Sequence, residues 1–325
     1  MAHSFRTEIN CSPGQSIELQ HKILTLGSCF ADQFGSWLQT NKFQVLTNPF
    51  GTVYNPISIH TLLTSALDLT LEQELFLERD GYWFHHHYHS LFTDRTKESL
   101  GVKINQQQQK VKEFLYQTDV VILTYGTAWV YQLKSNQKRV SNCHKVPGSS
   151  FEKKLLSVDE IVDSFQRLVL KVRAIQPTVR ILLTVSPVRH LKDTLELNSV
   201  SKSVLRLACH HLRQPGVEYF PAYELLLDDL RDYRFYDRDM IHPSPEARDY
   251  INNKFSDRYF SEATKKLIGM LNEVHRALAH KPFQLASPIH QQFLVETLKK
   301  LELINVHLPV QTEIDQIQSL LNTHA

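Results

Sequence analysis

A serine stands in Gly27-Ser28-Cys29-Phe30, directly after the apolar run Lys22-Ile23-Leu24-Thr25-Leu26 and before apolar residues at helical spacing, Phe30, Phe34, Trp37 and Leu38. A short apolar run that ends in glycine reads as a buried parallel strand, and the periodic residues after it as a helix. Ser28 is therefore expected at a strand-to-helix turn, with its hydroxyl exposed. Its N–H lies at a helix N-terminus, where partial positive charge favours an oxyanion. Gly27 lets the backbone turn sharply. Far along the chain, Asp237-Arg238-Asp239-Met240-Ile241-His242-Pro243-Ser244 sets an aspartate three residues before a histidine. One short loop can present both side chains. Asp239 would accept from one imidazole nitrogen of His242 while the other nitrogen faces the serine, the division into nucleophile, general base and orienting acid that acyl chemistry uses. The chain order Ser, Asp, His is one of several that produce this geometry.

Other residues compete for roles. Ser28 also suits a plain helix N-cap, and Asp239 with His242 a surface turn. Cys29 shares the helix start, where thiol pKa values fall, and is an alternative nucleophile; the preferred reading points it into the core, as free cysteines usually lie. Two loops, residues 48–56 and 125–128, carry Gly51 and Gly126, each a candidate to bring a backbone N–H to an oxyanion. Arg189 and His190 follow an apolar run and are expected to face the cleft, where Arg189 either binds an anionic or polar part of a ligand or pairs with a nearby aspartate. His85, His86, His87 and His89 invite a metal, since 85, 87 and 89 would share one face of a strand. No HExxH-type partner accompanies them, so a pocket or structural role is expected and no metal is assigned. Cys143-His144 is a similar pair with no assigned place.

These groups need a frame to hold them. Further apolar runs at 119–124, 178–185 and 217–220 read as buried strands, with a weaker one at 43–46. Residues 57–69, 72–78, 102–117, 158–175 and 201–212 read as helices, and 82–92 as an extended hairpin arm. Strands alternating with helices imply a parallel sheet covered on both faces. In such sheets the ligand site lies at the carboxyl ends of the strands, where the reactive residues fall here. After residue 260 only helical patterns remain: Leu267, Leu271, Val274 and Leu278 mark one face, and Leu294, Leu298 and Leu301 another. The expected division is a domain over 1–259 and a helical extension over 260–325.

The bulk properties exclude several classes. Lys and Arg total 36 against 34 Asp and Glu, a near-balance unlike that of a nucleic-acid binder. No apolar stretch is long enough for a membrane span and the N-terminus shows no apolar export core, so a cytoplasmic protein is expected. The four cysteines form no CxxC pair, which argues against a zinc knuckle.

The stretch Gly27-Ser28-Cys29-Phe30-Ala31, with NPFGTVYNP at 48–56, CHKVP at 143–147, TVSPVRH at 184–190 and RDYRFYDRDMIHPS at 231–244, resembles the GSCFA family, which is related to the SGNH (GDSL-like) hydrolases. The resemblance covers roughly residues 20–260. It implies a flavodoxin-like three-layer α/β/α sandwich with a central parallel sheet. It also implies hydrolysis of an O-acyl ester on a small molecule or glycan, without a cofactor, with Ser28 as nucleophile, His242 as base and Asp239 as orienter. Two departures from the SGNH pattern stand out: no aspartate separates Gly27 from Ser28, and Gly126-Thr127-Ala128 lacks the oxyanion asparagine of the Gly-x-Asn block, so that either another donor such as Asn55 or Thr127 takes its place or the oxyanion hole is weaker. Three rival readings follow. They are an acyltransferase on the same machinery, a catalytically weak or inactive binding module, and a metal-dependent hydrolase built on the histidines.

Overall fold

The computed structural model of the protein describes residues 7–280 and 287–323. Residues 1–6, part of the stretch read above for an export signal, lie outside the described residues, as do 281–286 and 324–325 of the C-terminal extension. The chain forms two compact units. One is Met1–Asn10, His21–Ser36 and Val45–Lys254; the other is Cys11–Gln20, Trp37–Gln44 and Phe255–Ala325.

Its elements in chain order are β1 (Lys22–Gly27), α1 (Cys29–Thr40), β2 (Gln44–Thr47), α2 (Pro56–Asp68), β3 (Phe76–Arg79), β4 (Tyr82–His85), α3 (Lys97–Leu115), β5 (Val120–Tyr125), β6 (Trp129–Leu133), β7 (Arg139–Val140) and β8 (Phe151–Leu155). There follow α4 (Val158–Ile175), β9 (Arg180–Val185), α5 (Thr194–His211), β10 (Val217–Tyr219), α6 (Ala222–Glu224), α7 (Pro245–Tyr259), α8 (Glu262–Ala279), α9 (Pro288–Asn305) and α10 (Gln311–Thr323). The main sheet has the order β10-β9-β5-β1-β2. β1 runs parallel to β5 with Gly27 opposite Thr124, and β5 parallel to β9 with Tyr125 opposite Val185. Every residue of β5 and β9 is buried. Helices cover both faces, which is why these strands read as unbroken apolar runs rather than alternating ones. Each such buried Val, Leu or Ile contributes roughly 1.5–3 kcal/mol over an exposed one.

Counting only the five strands of this sheet, the order is 2-1-3-4-5, that of flavodoxin-like folds. From β1 the chain steps to β2 on one side, then returns to β5 on the other. The switch point thus lies between the carboxyl ends of β1 and β5. Cys29 follows β1, and Gly126 and Thr127 follow β5.

Two regions differ from the expectation. Residues 72–78 form a single 3-10 turn at Gln73–Leu75 and then β3, which pairs antiparallel with β4. The cause is the Asp80-Gly81 step. Both residues take positive φ, 54° and 76°, as a two-residue hairpin turn requires, and they close the hairpin. Residues 129–155 add a sheet in the order β7-β6-β8, antiparallel throughout, which no alternation in the sequence marked.

In the second unit α8, α9 and α10 bury Leu271, Val274, Leu294, Leu301, Ile304, Leu308, Val310, Ile314 and Ile317 together. Phe260 of this unit stacks on Trp37 (5.8 Å between ring centroids) and on Phe43 (4.8 Å), and Ile17 N–H donates to Tyr259 O at 2.6 Å. Its interior is therefore built from segments far apart in sequence. Among the described residues no helix is long and apolar enough to cross a membrane.

Candidate active site

The turn after β1 is fastened by Asn48. Gly27 N–H donates to Asn48 Oδ1 at 2.8 Å, and Asn48 Nδ2 donates to Asp32 Oδ1 at 2.6 Å in the first turn of α1. Thr52 Oγ1 donates to the other oxygen of Asp32 at 2.9 Å. Gly27 has φ +148°, and a Cβ there would lie 2.1 Å from Thr124 O, so only glycine fits. The next residue still follows the strand: Ser28 N–H donates to Thr124 O at 3.3 Å. Helix α1 begins only at Cys29.

That one-residue difference decides which side chain is presented. Ser28 is wholly buried, its Oγ has no hydrogen-bond partner, and it is not part of the neighbouring cavity wall. The structure does not bring Ser28 to His242, as the sequence reading expected. It brings Cys29, whose Sγ lies 3.4 Å from His242 Nε2. His242 Nδ1 in turn lies 2.6 Å from Asp239 Oδ2. Asp239 Oδ1 accepts the N–H groups of Ile241 (2.8 Å) and His242 (3.0 Å). Met240 takes a left-handed φ of 58°, so that the loop closes with Asp237 N–H on His242 O at 2.7 Å. The His242 backbone N–H, then its imidazole and the Ile241 N–H, hold the Asp239 carboxyl down to about 2. It stays ionised and fixes the imidazole tautomer.

Cys29 and His242 open into a cavity of about 520 Å³, which Tyr54, Asn55, Thr127, Trp129 and Tyr131 also line. Burial, and secondarily the charge of Asp32, push the Cys29 thiol above its ordinary range. The N–H groups of Cys29 and Phe30 at the start of α1, and the Lys202 ammonium, pull it part of the way back. The resting group is a thiol, and the His242 imidazole stands at hydrogen-bonding distance from it.

The expected oxyanion donors fare differently. Gly51 N–H is engaged with Asn48 O at 2.8 Å, and a Cβ at Gly51 would lie 2.3 Å from His89 Cβ; this glycine serves a turn and a close contact, not an oxyanion. The N–H groups of Gly126 and Thr127 both donate to Tyr54 O, at 2.7 and 3.0 Å. Gly126 is small for packing, since a Cβ would meet Tyr54 O at 3.1 Å, His190 Nε2 at 3.2 Å and Ser28 Cβ at 3.3 Å. Asn55 lines the cavity, but its side chain caps α2, accepting from Ser58 N–H at 2.8 Å. Thr127 also lines it, with Oγ1 3.1 Å from Ser201 Oγ. The donors that remain toward the sulfur are the N–H groups of Cys29 and Phe30.

Arg189 and His190 both reach the cavity wall. Arg189 N–H donates to Ile241 O at 3.1 Å, tying this loop to the one that carries His242. His190 stacks edge-on to Tyr54 at 5.6 Å, and burial lowers its pKa to about 4, which keeps it neutral. The histidine arm does not gather around one point. His85 Nε2 bonds Glu72 O at 3.0 Å, His86 Nδ1 bonds Asn142 O at 2.8 Å, and His87 Nε2 lies 3.2 Å from Glu72. His144 Nε2 bonds His85 O at 3.0 Å, and Cys143 packs beside Leu75, Val140 and Phe151. Among the described residues no group of three or more His, Cys, Asp or Glu side chains is placed to hold a metal ion.

Two features had no local signal. Lys202 on α5 is 1% exposed and donates from Nζ to Gly126 O (2.7 Å) and Ser186 O (2.6 Å), the carbonyls just past β5 and β9. Burial lowers its pKa to about 7. Trp129, Tyr131 and Lys153 come from the small antiparallel sheet, with Tyr131 opposite Lys153, and form one wall of the cavity.

The sequence matches the GSCFA family model over residues 22–255 and that of the GSCFA domain protein, C-terminal domain, over 271–323. No curated protein matches it. Among solved structures it is similar to a carbohydrate esterase family 3 protein from Talaromyces cellulolyticus, with 10% identity, a TM-score of 0.34, and 78% of this chain and 99% of that chain covered. It is also similar to a carbohydrate esterase family 2 enzyme with a carbohydrate binding domain from Corynascus thermopiles, with 10% identity, a TM-score of 0.36, and 75% and 67% covered.

Proposed function

The chain belongs to the GSCFA family, and from that premise we propose that it is a thiol-dependent acyl hydrolase whose triad is Cys29, His242 and Asp239. The observation that carries this reading is the continuous line Cys29 Sγ, His242, Asp239, with contacts of 3.4 and 2.6 Å, at the wall of the cavity. In the Gly-Asp-Ser-Leu pattern of the related hydrolases the serine stands two residues after the glycine. Here that place belongs to Cys29.

The steps follow from the geometry. His242 takes the thiol proton as Cys29 sulfur attacks an ester carbonyl. The oxyanion forms against the N–H groups that open α1. His242 passes the proton to the departing alcohol, leaving a thioester on Cys29. Water, deprotonated by His242, then attacks the thioester; the carbon–sulfur bond breaks, the acid leaves and the proton held by His242 returns to the Cys29 sulfur. An alcohol in place of that water would give acyl transfer. The substrate class is an O-acyl ester of a small molecule or glycan, and no step requires a cofactor.

The test is hydrolysis of 4-nitrophenyl acetate by the purified chain. Cys29→Ala and His242→Ala are each expected to lower kcat by about 10³ or more, and Asp239→Asn by roughly 10²–10⁴, since it leaves the ring in place with the wrong tautomer. Undiminished turnover in Cys29→Ala would refute the assignment.

A further inference from the structure

The wall beside Cys29 carries more positive charge than its own carboxylate balances. Lys153, Arg189 and Lys192 line the cavity, against Asp193 alone among acidic residues. Lys153 pairs with Asp193, and its ammonium also lies 4.7 Å from the centre of the Trp129 ring. Asp239 is taken up by His242 and two backbone N–H groups. Arg189 and Lys192 have no carboxylate within ion-pair distance among the described residues, so the pairing of Arg189 with a nearby aspartate, allowed by the sequence, is not made.

Arg189 is nevertheless held in place. Its guanidinium lies 3.8 Å from the centre of the Tyr236 ring and 5.3 Å from that of Tyr233, with Nη1 donating to Met240 O at 3.4 Å. Stacking of this kind, with a side-chain hydrogen bond to the Tyr236 hydroxyl, fixes the plane of a fork whose N–H groups suit a carboxylate or phosphate. Lys192 sits on the exposed turn between His190 and Asp193. The apolar and aromatic remainder of the wall, Trp129, Tyr131, Leu191 and Ile241, suits the carbon skeleton of a ligand.

We infer that the substrate of this site bears an anionic group, a carboxylate or a phosphate, which docks on Arg189 and Lys192 while the scissile carbonyl lies at Cys29. This rests on the reading of Cys29 as the reactive thiol. The low-dielectric wall strengthens the attraction relative to water and raises the local concentration of anions at the sulfur.

Two alkylating reagents that differ only in charge provide the test. In each, Cys29 sulfur forms a bond to the methylene carbon, the carbon–iodine bond breaks, iodide leaves and His242 takes the thiol proton. The rate of Cys29 modification by iodoacetate, divided by that with iodoacetamide, is measured by mass spectrometry on the full chain and on free cysteine. The ratio is expected to exceed that of free cysteine about tenfold or more. It is expected to fall in Lys192→Gln, an exposed change without packing consequence, and to reach the free-cysteine value when Arg189→Gln is added. A wild-type ratio equal to that of free cysteine, or one unmoved by the two substitutions, overturns the anion subsite while leaving the thiol reading intact. Failure of both reagents to modify Cys29 in the folded chain overturns the thiol reading and the subsite with it. Protection of Cys29 from iodoacetamide by inorganic phosphate and by acetate, compared at equal ionic strength, tells the two anions apart. The better protector identifies the group.

Discussion

Cys29 lies in an environment that pulls its thiol in two directions. Burial and Asp32 raise its pKa, while two helix-start N–H groups and Lys202 lower it, and the rise prevails. Because the thiolate is the nucleophile, its population grows only as pH climbs toward a pKa above the ordinary thiol range. The rate of alkylation of Cys29 by iodoacetamide is thus expected to increase steadily from pH 6 through about 9. A rate already level at pH 6, as a preformed thiolate–imidazolium pair would give, is the contrary result. Ser28 differs in kind. A buried hydroxyl without a partner carries the cost of lost hydration with no bond in return. Ser28→Ala is expected to keep or raise stability, within about 1 kcal/mol, and to retain ester hydrolysis within a few-fold. Urea unfolding and steady-state kinetics on this one variant check both. The sequence marked the Ser28-Cys29 pair but not which member faces the cavity. Gly27, Ser28 and Cys29 all suit a strand-to-helix turn, and the choice depends on whether the strand ends before or after Ser28.

At the scale of elements, the site is a product of the switch between β1 and β5, and the parallel strands that create it were legible as apolar runs. The DxxH loop was legible too, because Asp239 and His242 are close in sequence. What was not legible came from long-range packing. The wall of Trp129, Tyr131 and Lys153 depends on β6 pairing with β8 across some twenty residues, and Lys202 looks like any polar residue of an amphipathic helix until β5 and β9 are laid against it. The Asp80-Gly81 hairpin had a local signal in its dipeptide, but the helical propensity of the residues before it masked that signal. Lys202 has a consequence for stability. Its folded pKa is near 7 through burial, whereas an unfolded lysine keeps its proton to about 10. Between these values the unfolded chain binds the extra proton, so stability rises with pH across that window. In Lys202→Met this part of the rise is expected to vanish, together with some overall stability, because Gly126 O and Ser186 O lose their donor. Urea midpoints of the two proteins at pH 7 and 9 read the difference.

At the scale of the whole molecule, the second unit is interleaved in sequence rather than appended. A cut between residues 259 and 260, the division expected from the sequence, would separate Trp37 and Phe43 from Phe260 within a single unit. The helical faces after 260 were visible as leucine spacing. Their companions at 11–20 and 37–44 were not, since short segments carry no periodicity of their own. A chain ending at residue 259 is expected to aggregate on expression, its aromatic surface uncovered, whereas Leu301→Ala in the full chain should fold with a loss of about 2–5 kcal/mol. Soluble, monodisperse protein from the shortened chain would show that the second unit's aromatic residues need no cover.

The most direct test of the proposed chemistry is to catch the acyl group on the enzyme. The purified chain, quenched in acid during turnover of 4-nitrophenyl acetate and digested, is expected to show one acetyl group on the peptide that contains Cys29. That group should be carried by the cysteine sulfur, be released by hydroxylamine, persist in Ser28→Ala and be absent in Cys29→Ala. An acetyl group on Ser28 oxygen, or turnover with no adduct on either residue, would contradict the account.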